Sequence, residues 1–234
     1  LYVSSFSPYD YKFTIFISLI VLFKVLDNSG TRSRVMLILF FSILVHLLGV
    51  WWISESLITY GSLHYAISYI LTFILIVIIS LPYVIVGFMY EPIKHSNLIN
   101  ICYMASLFVI AELIKSFLFG GFSWLLLGQS QNQTIFDIVY PIFGSSAVSF
   151  IVVFLSGIFY RTIAEKNKDY SIGYIGLIVL YLIPYSTQNN YDHNDALSYT
   201  IYQPNLYPDV SYNEKEYSRI TEKYLGVLRD NKSS

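Results

Sequence analysis

The stretch HYAISYILTFILIVIISLPYVIVGFMY, residues 64–90, decides the fold class. It contains no Asp, Glu, Lys or Arg, and most of its side chains are aliphatic or aromatic. A helix needs about 20 predominantly apolar residues to cross the hydrocarbon core of a bilayer, and this stretch is longer than that. Pro82 lies inside it, where neighbouring helices can satisfy the freed backbone group, so we predict a kink rather than a break. The stretch therefore predicts a transmembrane helix.

Runs of the same apolar character recur on both sides of this stretch. Charged or turn-rich segments separate them, and this alternation is typical of a polytopic membrane protein. We predict six spans, of which the first and last are short: Phe13–Leu26, Val35–Ser54, His64–Tyr90, Leu98–Phe119, Ile138–Tyr160 and Gly173–Tyr185. The sequence thus predicts a membrane all-α domain over residues 1–187.

The composition agrees with this class and argues against several others. Hydrophobic residues make up 55% of the chain and charged residues 12%, with a mean hydropathy of +0.57, whereas soluble domains carry about 25% charged residues. The net charge of −1 gives no indication of a nucleic-acid partner. The single cysteine, Cys102, lies in an apolar run, so there is no disulfide framework and no thiolate metal cluster.

The sequence predicts no metal site and no cofactor. His46, His64, His95 and His193 have no Cys, Asp, Glu or second His at ligand spacing. Phosphate-binding loops, dinucleotide fingerprints and nucleophile elbows are absent from the sequence as well.

The basic residues in the connections between spans predict the orientation of the chain. Cytoplasmic loops retain Lys and Arg, and here the odd-numbered connections carry them while the second and fourth carry none. Odd connections are therefore expected in the cytoplasm, and the segment after the sixth span on the outer side. The basic residues concerned are Lys24, Arg32, Arg34, Lys94, Arg161, Lys166 and Lys168.

The C-terminal part of the sequence changes to the character of a soluble domain. Residues 188–197 form a polar linker, and Ala196–Gln203 is rich in Tyr, Thr and Ile, which predicts a strand. Asn213 and Glu216 have capping-box spacing before an amphipathic helical pattern. One strand and one helix, within residues 198–234, begin an α/β domain that we expect to continue past Ser234. Because the sequence starts at Leu1 rather than Met, we also expect a cut at that end.

Two ionisable residues, Glu112 and Lys115, lie inside the fourth predicted span. A charge at the centre of a bilayer costs about 2.5–3.5 kcal/mol on insertion scales, so such residues are candidates for function. At i, i+3 they share a helix face, which predicts a structural ion pair. The alternative is that Lys115 extends to the outer interface and Glu112 only accompanies it.

The fourth connection contains the unusual stretch GGFSWLLLGQSQ, residues 120–131. It is apolar, begins with glycines and ends with amides, and is too short to cross a bilayer. It can form a re-entrant segment on the outer face, with Trp124 at headgroup level, or an ordinary loop in the aromatic belt.

Four short stretches share their order and spacing with one known family. They are FSPYD at 6–10; GVWW at 49–52 followed by TYG at 59–61; AEL at 111–113 leading to GFSWL at 121–125 and GQSQ at 128–131; and IYQPNL at 201–206. Together they resemble the apolipoprotein N-acyltransferases of the bacterial inner membrane. Four positions depart from the family pattern: Ser123 in place of Pro, Gln129 in place of Tyr, Pro204 in place of Gly and Tyr212 in place of Trp.

The resemblance implies an activity, a location and two partners. The family transfers an acyl chain from a membrane phospholipid, through a thioester, to the α-amine of a diacylglyceryl-cysteine lipoprotein. Its Glu, Lys and Cys catalytic residues belong to a nitrilase-like domain and would follow Ser234, so we expect no catalytic residue in this chain and no activity from it alone. The resemblance further implies a multi-pass inner-membrane protein with a periplasmic C-terminal tail, no cofactor and a monomeric state.

The candidate site residues combine the resemblance with the position of the charges. We assign substrate contacts to Glu112, Trp124, Gln131 and Tyr212, and a structural ion pair to Glu112 and Lys115. The competing hypothesis is a non-enzymatic polytopic protein, either a transporter component or a lipid-binding remnant. The sequence downstream of Ser234 distinguishes the enzyme from the non-enzymatic protein, because the resemblance implies a Trp-Pro-Glu motif, a Lys and a Cys there for the enzyme.

Overall fold

The computed structural model describes residues 1–93, 98–165, 203 and 214–230, and this part of the chain is helical without strands. Short 3₁₀ turns occur at Val3–Ser5, Leu81–Tyr83, Leu118–Gly120, Leu127–Gln131 and Ile135–Ile138. The helices are α1 (Thr14–Asp27), α2 (Thr31–Val50), α3 (Trp52–Thr59), α4 (Tyr65–Ser80), α5 (Val84–Phe88), α6 (Leu98–Phe117), α7 (Tyr140–Glu165) and α8 (Glu214–Asp230).

Within the described residues, four helical segments are long and apolar enough to cross a membrane. They are Thr31–Val50, Tyr65–Phe88, Leu98–Phe117 and Tyr140–Ala164. These segments confirm the middle four predicted spans, with ends displaced by several residues.

The outer two predicted spans have different outcomes. Phe13–Leu26 forms the helix α1, but its 14 residues fall short of the roughly 20 that a crossing requires. Gly173–Tyr185 lies outside the described residues. The count of six spans therefore stays a prediction.

Pro82 changes the helix without ending the span. α4 ends at Ser80, the chain tightens into the 3₁₀ turn Leu81–Tyr83, and α5 continues from Val84. A proline removes one backbone donor and clashes with the preceding turn, and a tighter turn accommodates both effects. The prediction of a local distortion rather than a break is confirmed.

The helices pack around α6 and α7. α7 contacts α6 and α1, while α2 packs against α4 and α5 and α6 packs against the turn at Pro82. Gly87 permits the close approach of α5 to α2, because a Cβ there would lie 2.8 Å from the Cα of Val35.

The distribution of side chains is that of a protein surrounded by lipid. Phe40, Leu48 and Ile70 are more than half exposed, whereas Ser68 and Thr72 are fully buried. Exposed apolar surface of this extent is unfavourable in water but matches the hydrocarbon core of a bilayer.

A partly buried polar cluster links α1 and α2 to the segment after α5 at one end of the bundle. The Asp27 Oδ1 atom accepts hydrogen bonds from the Tyr90 hydroxyl at 2.5 Å and from the Ile93 amide at 2.9 Å. The Arg34 guanidinium donates to the Leu26 carbonyl at 3.0 Å and stacks over the Tyr90 ring. Burial, followed by the bond to Asp27, raises the pKa of Tyr90 above its ordinary value, so its hydroxyl keeps its proton.

The helix predicted in the C-terminal part is confirmed as α8, Glu214–Asp230. Its apolar residues Tyr217 and Tyr224 are exposed. The predicted strand Ala196–Gln203 lies outside the described residues except for Gln203, as does Tyr212.

Candidate functional site

The connection between α6 and α7 turns back into the helix bundle. Leu125, Leu126, Leu127, Ser130 and Gln131 are all buried, while the preceding Trp124 remains 53% exposed. A belt loop would leave these leucines at the interface, so their burial supports the re-entrant interpretation. We call residues 121–131 the re-entrant loop.

Three side chains, two from α6 and one from the N-terminal segment, satisfy the backbone of the re-entrant loop at its tip. The Trp124 carbonyl accepts from Lys115 Nζ of α6 at 2.8 Å. The Leu125 carbonyl accepts from the Tyr2 hydroxyl at 3.0 Å, and the Leu127 amide donates to Glu112 Oε1 at 2.6 Å. Irregular backbone at membrane depth is tolerated only where such partners exist, so these three side chains permit the loop to be buried.

The second half of the loop is held by α7 and by its own side chains. The Gly128 amide donates to Ser149 Oγ at 2.8 Å, and the Gly128 carbonyl accepts from the Tyr140 hydroxyl. Gln129 Oε1 accepts from the Leu126 amide at 3.2 Å. Gly128 is required here, because a Cβ would overlap the Ser145 carbonyl oxygen of α7.

A groove of about 830 Å³ lies beside the re-entrant loop. We call it the Trp124 groove. Its walls come from the N-terminal segment, the α2–α3 junction and the loop: Val3, Phe6, Ser7, Pro8, Tyr9, Asp10, Lys12, Leu48, Gly49, Trp52, Trp124, Leu125, Gln129, Asn132 and Gln133. The groove has the volume of a small-molecule site and mixes aromatic rings with amides.

Charged and aromatic side chains give the Trp124 groove a defined chemistry. Lys12 Nζ and Asp10 Oδ1 form an ion pair at 3.0 Å, with side chains 19% and 49% exposed. The rings of Trp52 and Trp124 are 5.6 Å apart. Both a cation and an anion are thus available beside an apolar surface, which suits an amphipathic ligand with a polar end.

The structure separates the predicted site residues into two groups. Trp124 lines the groove, whereas Glu112 and Gln131 are almost fully buried beneath it. Gln131 Nε2 donates to the Lys12 carbonyl at 3.2 Å and to Ser130 Oγ at 3.0 Å. Gln131 therefore joins the loop to the N-terminal segment.

The predicted direct ion pair between Glu112 and Lys115 is not formed in the described structure. Both residues lie on the buried face of α6, as their spacing predicts. Glu112 Oε1 is occupied by the Leu127 amide, and Lys115 Nζ by the Trp124 carbonyl, His46 and the Tyr83 ring. Their opposite charges remain close, but the backbone of the loop takes the hydrogen bonds.

Sequence reasoning missed three residues of this site: Tyr2, His46 and Ser149. Each contacts a residue more than 20 positions away, and spacing rules report only near neighbours. Burial, and secondarily the negative charge of Glu112, raises the pKa of Tyr2 well above its ordinary value. The Tyr2 hydroxyl therefore stays protonated and continues to donate to Leu125.

Among the described residues, no three His, Cys, Asp or Glu side chains meet as metal ligands.

Comparison with known proteins places this arrangement in a family. A family model described as the N-terminal domain of apolipoprotein N-acyltransferase matches residues 1–158. Among the relatives, the apolipoprotein N-acyltransferase of Pasteurella multocida is 24% identical over 226 residues, covering 92% of this chain and 42% of that protein. That of Haemophilus influenzae is 22% identical, covering 98% and 45%. That of Aquifex aeolicus is 26% identical, covering 95% and 49%.

The chain spans less than half the length of these relatives. The family match begins at the first residue and includes α1 to α6, the re-entrant loop and most of α7. The elements that form the Trp124 groove all lie inside it. This chain therefore belongs to the apolipoprotein N-acyltransferase family.

Proposed function

We propose that this chain is the membrane part of an enzyme that N-acylates lipoproteins in the bacterial inner membrane. An ester-linked acyl chain of a phospholipid passes to a cysteine thiol, releasing a lysophospholipid and forming a thioester. The α-amine of a diacylglyceryl-cysteine lipoprotein then attacks the thioester, which forms the amide and returns the thiol. The Glu, Lys and Cys for these steps belong to a nitrilase-like domain that begins near residue 198.

The Trp124 groove is the observation that carries this proposal. Three of the four stretches that resemble the family meet in it, through Tyr9, Trp52 and Trp124 among others. An acyl chain can lie against the two tryptophans while the headgroup meets Lys12 and Asp10. Trp124 then contacts substrate directly, and Glu112 and Gln131 support the floor of the groove. Tyr212 stays a predicted substrate contact.

The remaining assignments follow from the same proposal. The protein has six spans within residues 1–187, a linker at 188–197 and the start of the nitrilase-like domain at 198–234, and it acts as a monomer. The bond from Tyr2 to Leu125 places the N-terminal segment at the end of the bundle that carries the re-entrant loop. This end holds the connections without basic residues, which supports an outer, periplasmic position for the groove.

Substrate docking in the groove predicts a selective effect of Trp124→Ala. The complete reading frame, with the catalytic domain that the proposal places after residue 198, is expressed in a strain depleted of its own apolipoprotein N-acyltransferase. N-acylation of a lipoprotein is followed by mass spectrometry of its N-terminal peptide. We expect acylation with the unchanged frame and about tenfold slower acylation with Trp124→Ala, from the loss of one aromatic contact.

Trp51→Ala is the matched control, since Trp51 stacks on Tyr69 and does not line the groove. It should acylate near the unchanged rate at equal membrane abundance. An inserted protein that yields no N-acylated product contradicts the proposed function. Equal effects of Trp124→Ala and Trp51→Ala contradict the assignment of the groove alone.

The alternation of basic residues predicts the position of the C-terminal tail. A reporter that is active only in the periplasm, fused after Ser234, should be active, and a reporter that is active only in the cytoplasm should be silent. The reverse pattern would show that the argument from the alternating basic residues is wrong.

A further inference from the structure

A histidine on α2 reaches the ammonium group that holds the re-entrant loop. His46 is 2% exposed. Its Nδ1 atom lies 2.8 Å from the Ser42 carbonyl oxygen and 3.3 Å from Ser80 Oγ, and its Nε2 atom lies 3.4 Å from Lys115 Nζ. The imidazole thus bridges the backbone of α2 and the side chain of α6.

The contact with the Ser42 carbonyl determines the tautomer of the imidazole. A carbonyl oxygen only accepts hydrogen bonds, so Nδ1 at 2.8 Å carries the proton. The lone pair is then on Nε2, directed at Lys115. The ammonium therefore donates to His46, whereas a proton on Nε2 would oppose the positive charge of Lys115.

The ammonium of Lys115 has three N–H bonds and three partners. These are the Trp124 carbonyl at 2.8 Å, His46 Nε2 at 3.4 Å and the Tyr83 ring, whose centroid is 5.7 Å from Nζ. A lysine side chain has a flexible stem of four carbons, so by itself it does not hold the ammonium group in one position. Partners on α2 and near Pro82 therefore fix where the ammonium meets the loop.

We propose that His46 is a positioning residue, which directs Lys115 onto the Trp124 carbonyl and so holds the Trp124 indole at the groove. The route runs from the Ser42 carbonyl through His46 and Lys115 to the carbonyl of the residue that lines the groove. This role rests on the proposed function, because the position of Trp124 matters to the enzyme only if the Trp124 groove binds substrate. The geometry itself does not depend on acyl transfer.

Fluorine NMR of the full chain in lipid nanodiscs tests this proposal without any turnover. With 5-fluorotryptophan, residues 1–234 contribute three resonances, from Trp51, Trp52 and Trp124, and substitution of each of these by Phe in turn identifies its resonance. For His46→Leu we expect the population with a displaced Trp124 resonance to rise by about tenfold, the equivalent of one hydrogen bond to a charged group. The Trp51 resonance should not move, although Trp51 directly follows the C-terminal end of the same helix.

Two further variants distinguish positioning from general packing. His46→Gln offers an amide oxygen to Lys115 and should restore the Trp124 resonance. Ser80→Ala removes only the contact on the Nδ1 side, where the Ser42 carbonyl already accepts, and should have little effect. The proposal is overturned if His46→Leu leaves the Trp124 resonance unchanged, if Trp51 shifts equally, or if His46→Gln behaves as leucine does. None of these results bears on whether the enzyme transfers acyl chains.

Discussion

Glu112→Leu is expected to lower the free energy of unfolding of the bundle by at least about 4 kcal/mol. The substitution leaves the Leu127 amide buried without an acceptor, which costs about 1–3 kcal/mol. It also removes the negative charge near the buried Lys115, and an uncompensated buried charge costs about 3–5 kcal/mol. Unfolding in a mixed-micelle titration with dodecyl sulfate, followed by circular dichroism, measures the difference.

Glu112→Gln is the matched variant, because its amide oxygen can still accept from the Leu127 amide while the charge is lost. We expect it to be about 1–3 kcal/mol more stable than Glu112→Leu, because the Leu127 amide keeps an acceptor while the buried Lys115 charge is still uncompensated. Combining Glu112→Leu with Lys115→Met should cost less than the two single changes added together, since no buried charge then remains. If the costs of the two single changes add up to the cost of the double change, the two residues act independently, although both bond to the backbone of the re-entrant loop.

The fold was predictable wherever local composition decides it. Tyr65–Phe88 was recognised because an uncharged apolar run of that length has only a bilayer or a large core in which to lie. α8 was recognised from its periodic apolar positions. α1 has the 14 residues of the short span predicted at Phe13–Leu26 and is displaced from it by one position, because the same apolar run sets its length.

The site was predictable only in part, because its contacts join distant segments. Hydropathy is the same for a leucine run in an aromatic belt and for one buried between helices, so the sequence left the re-entrant loop undecided. The spacing of Glu112 and Lys115 placed them on one face but could not show that loop backbone would outcompete the pair. His46 had no partner in sequence, since Lys115 lies 69 positions further on.

Gly128→Ala tests whether the loop needs its close contact with α7, and we expect a loss of about 3–5 kcal/mol in unfolding free energy. The added Cβ would overlap the Ser145 carbonyl oxygen and approach the Ser149 amide nitrogen to 3.0 Å. Both are backbone atoms of the part of α7 that follows its non-helical residue Gly144 and is helical to Glu165. A helical backbone does not turn a single carbonyl aside, so the loop must move outward. Overpacking of this kind costs about 1–3 kcal/mol, and loss of the Gly128 bonds to Ser149 and Tyr140 adds about 1 kcal/mol each.

Gly49→Ala is the control, because it too adds a Cβ beneath the re-entrant loop but meets only the end of the Leu125 side chain. That side chain can change rotamer, and the gain in helix propensity in α2 offsets part of the cost, so the net change should stay within about 1 kcal/mol. The outward movement of the loop in Gly128→Ala should also break the bond from Lys115 to the Trp124 carbonyl. The same fluorine resonance that reports on His46 should therefore shift in Gly128→Ala and not in Gly49→Ala. Equal stability of the two variants would mean that the loop is not seated against α7, and the floor of the groove would then need another support.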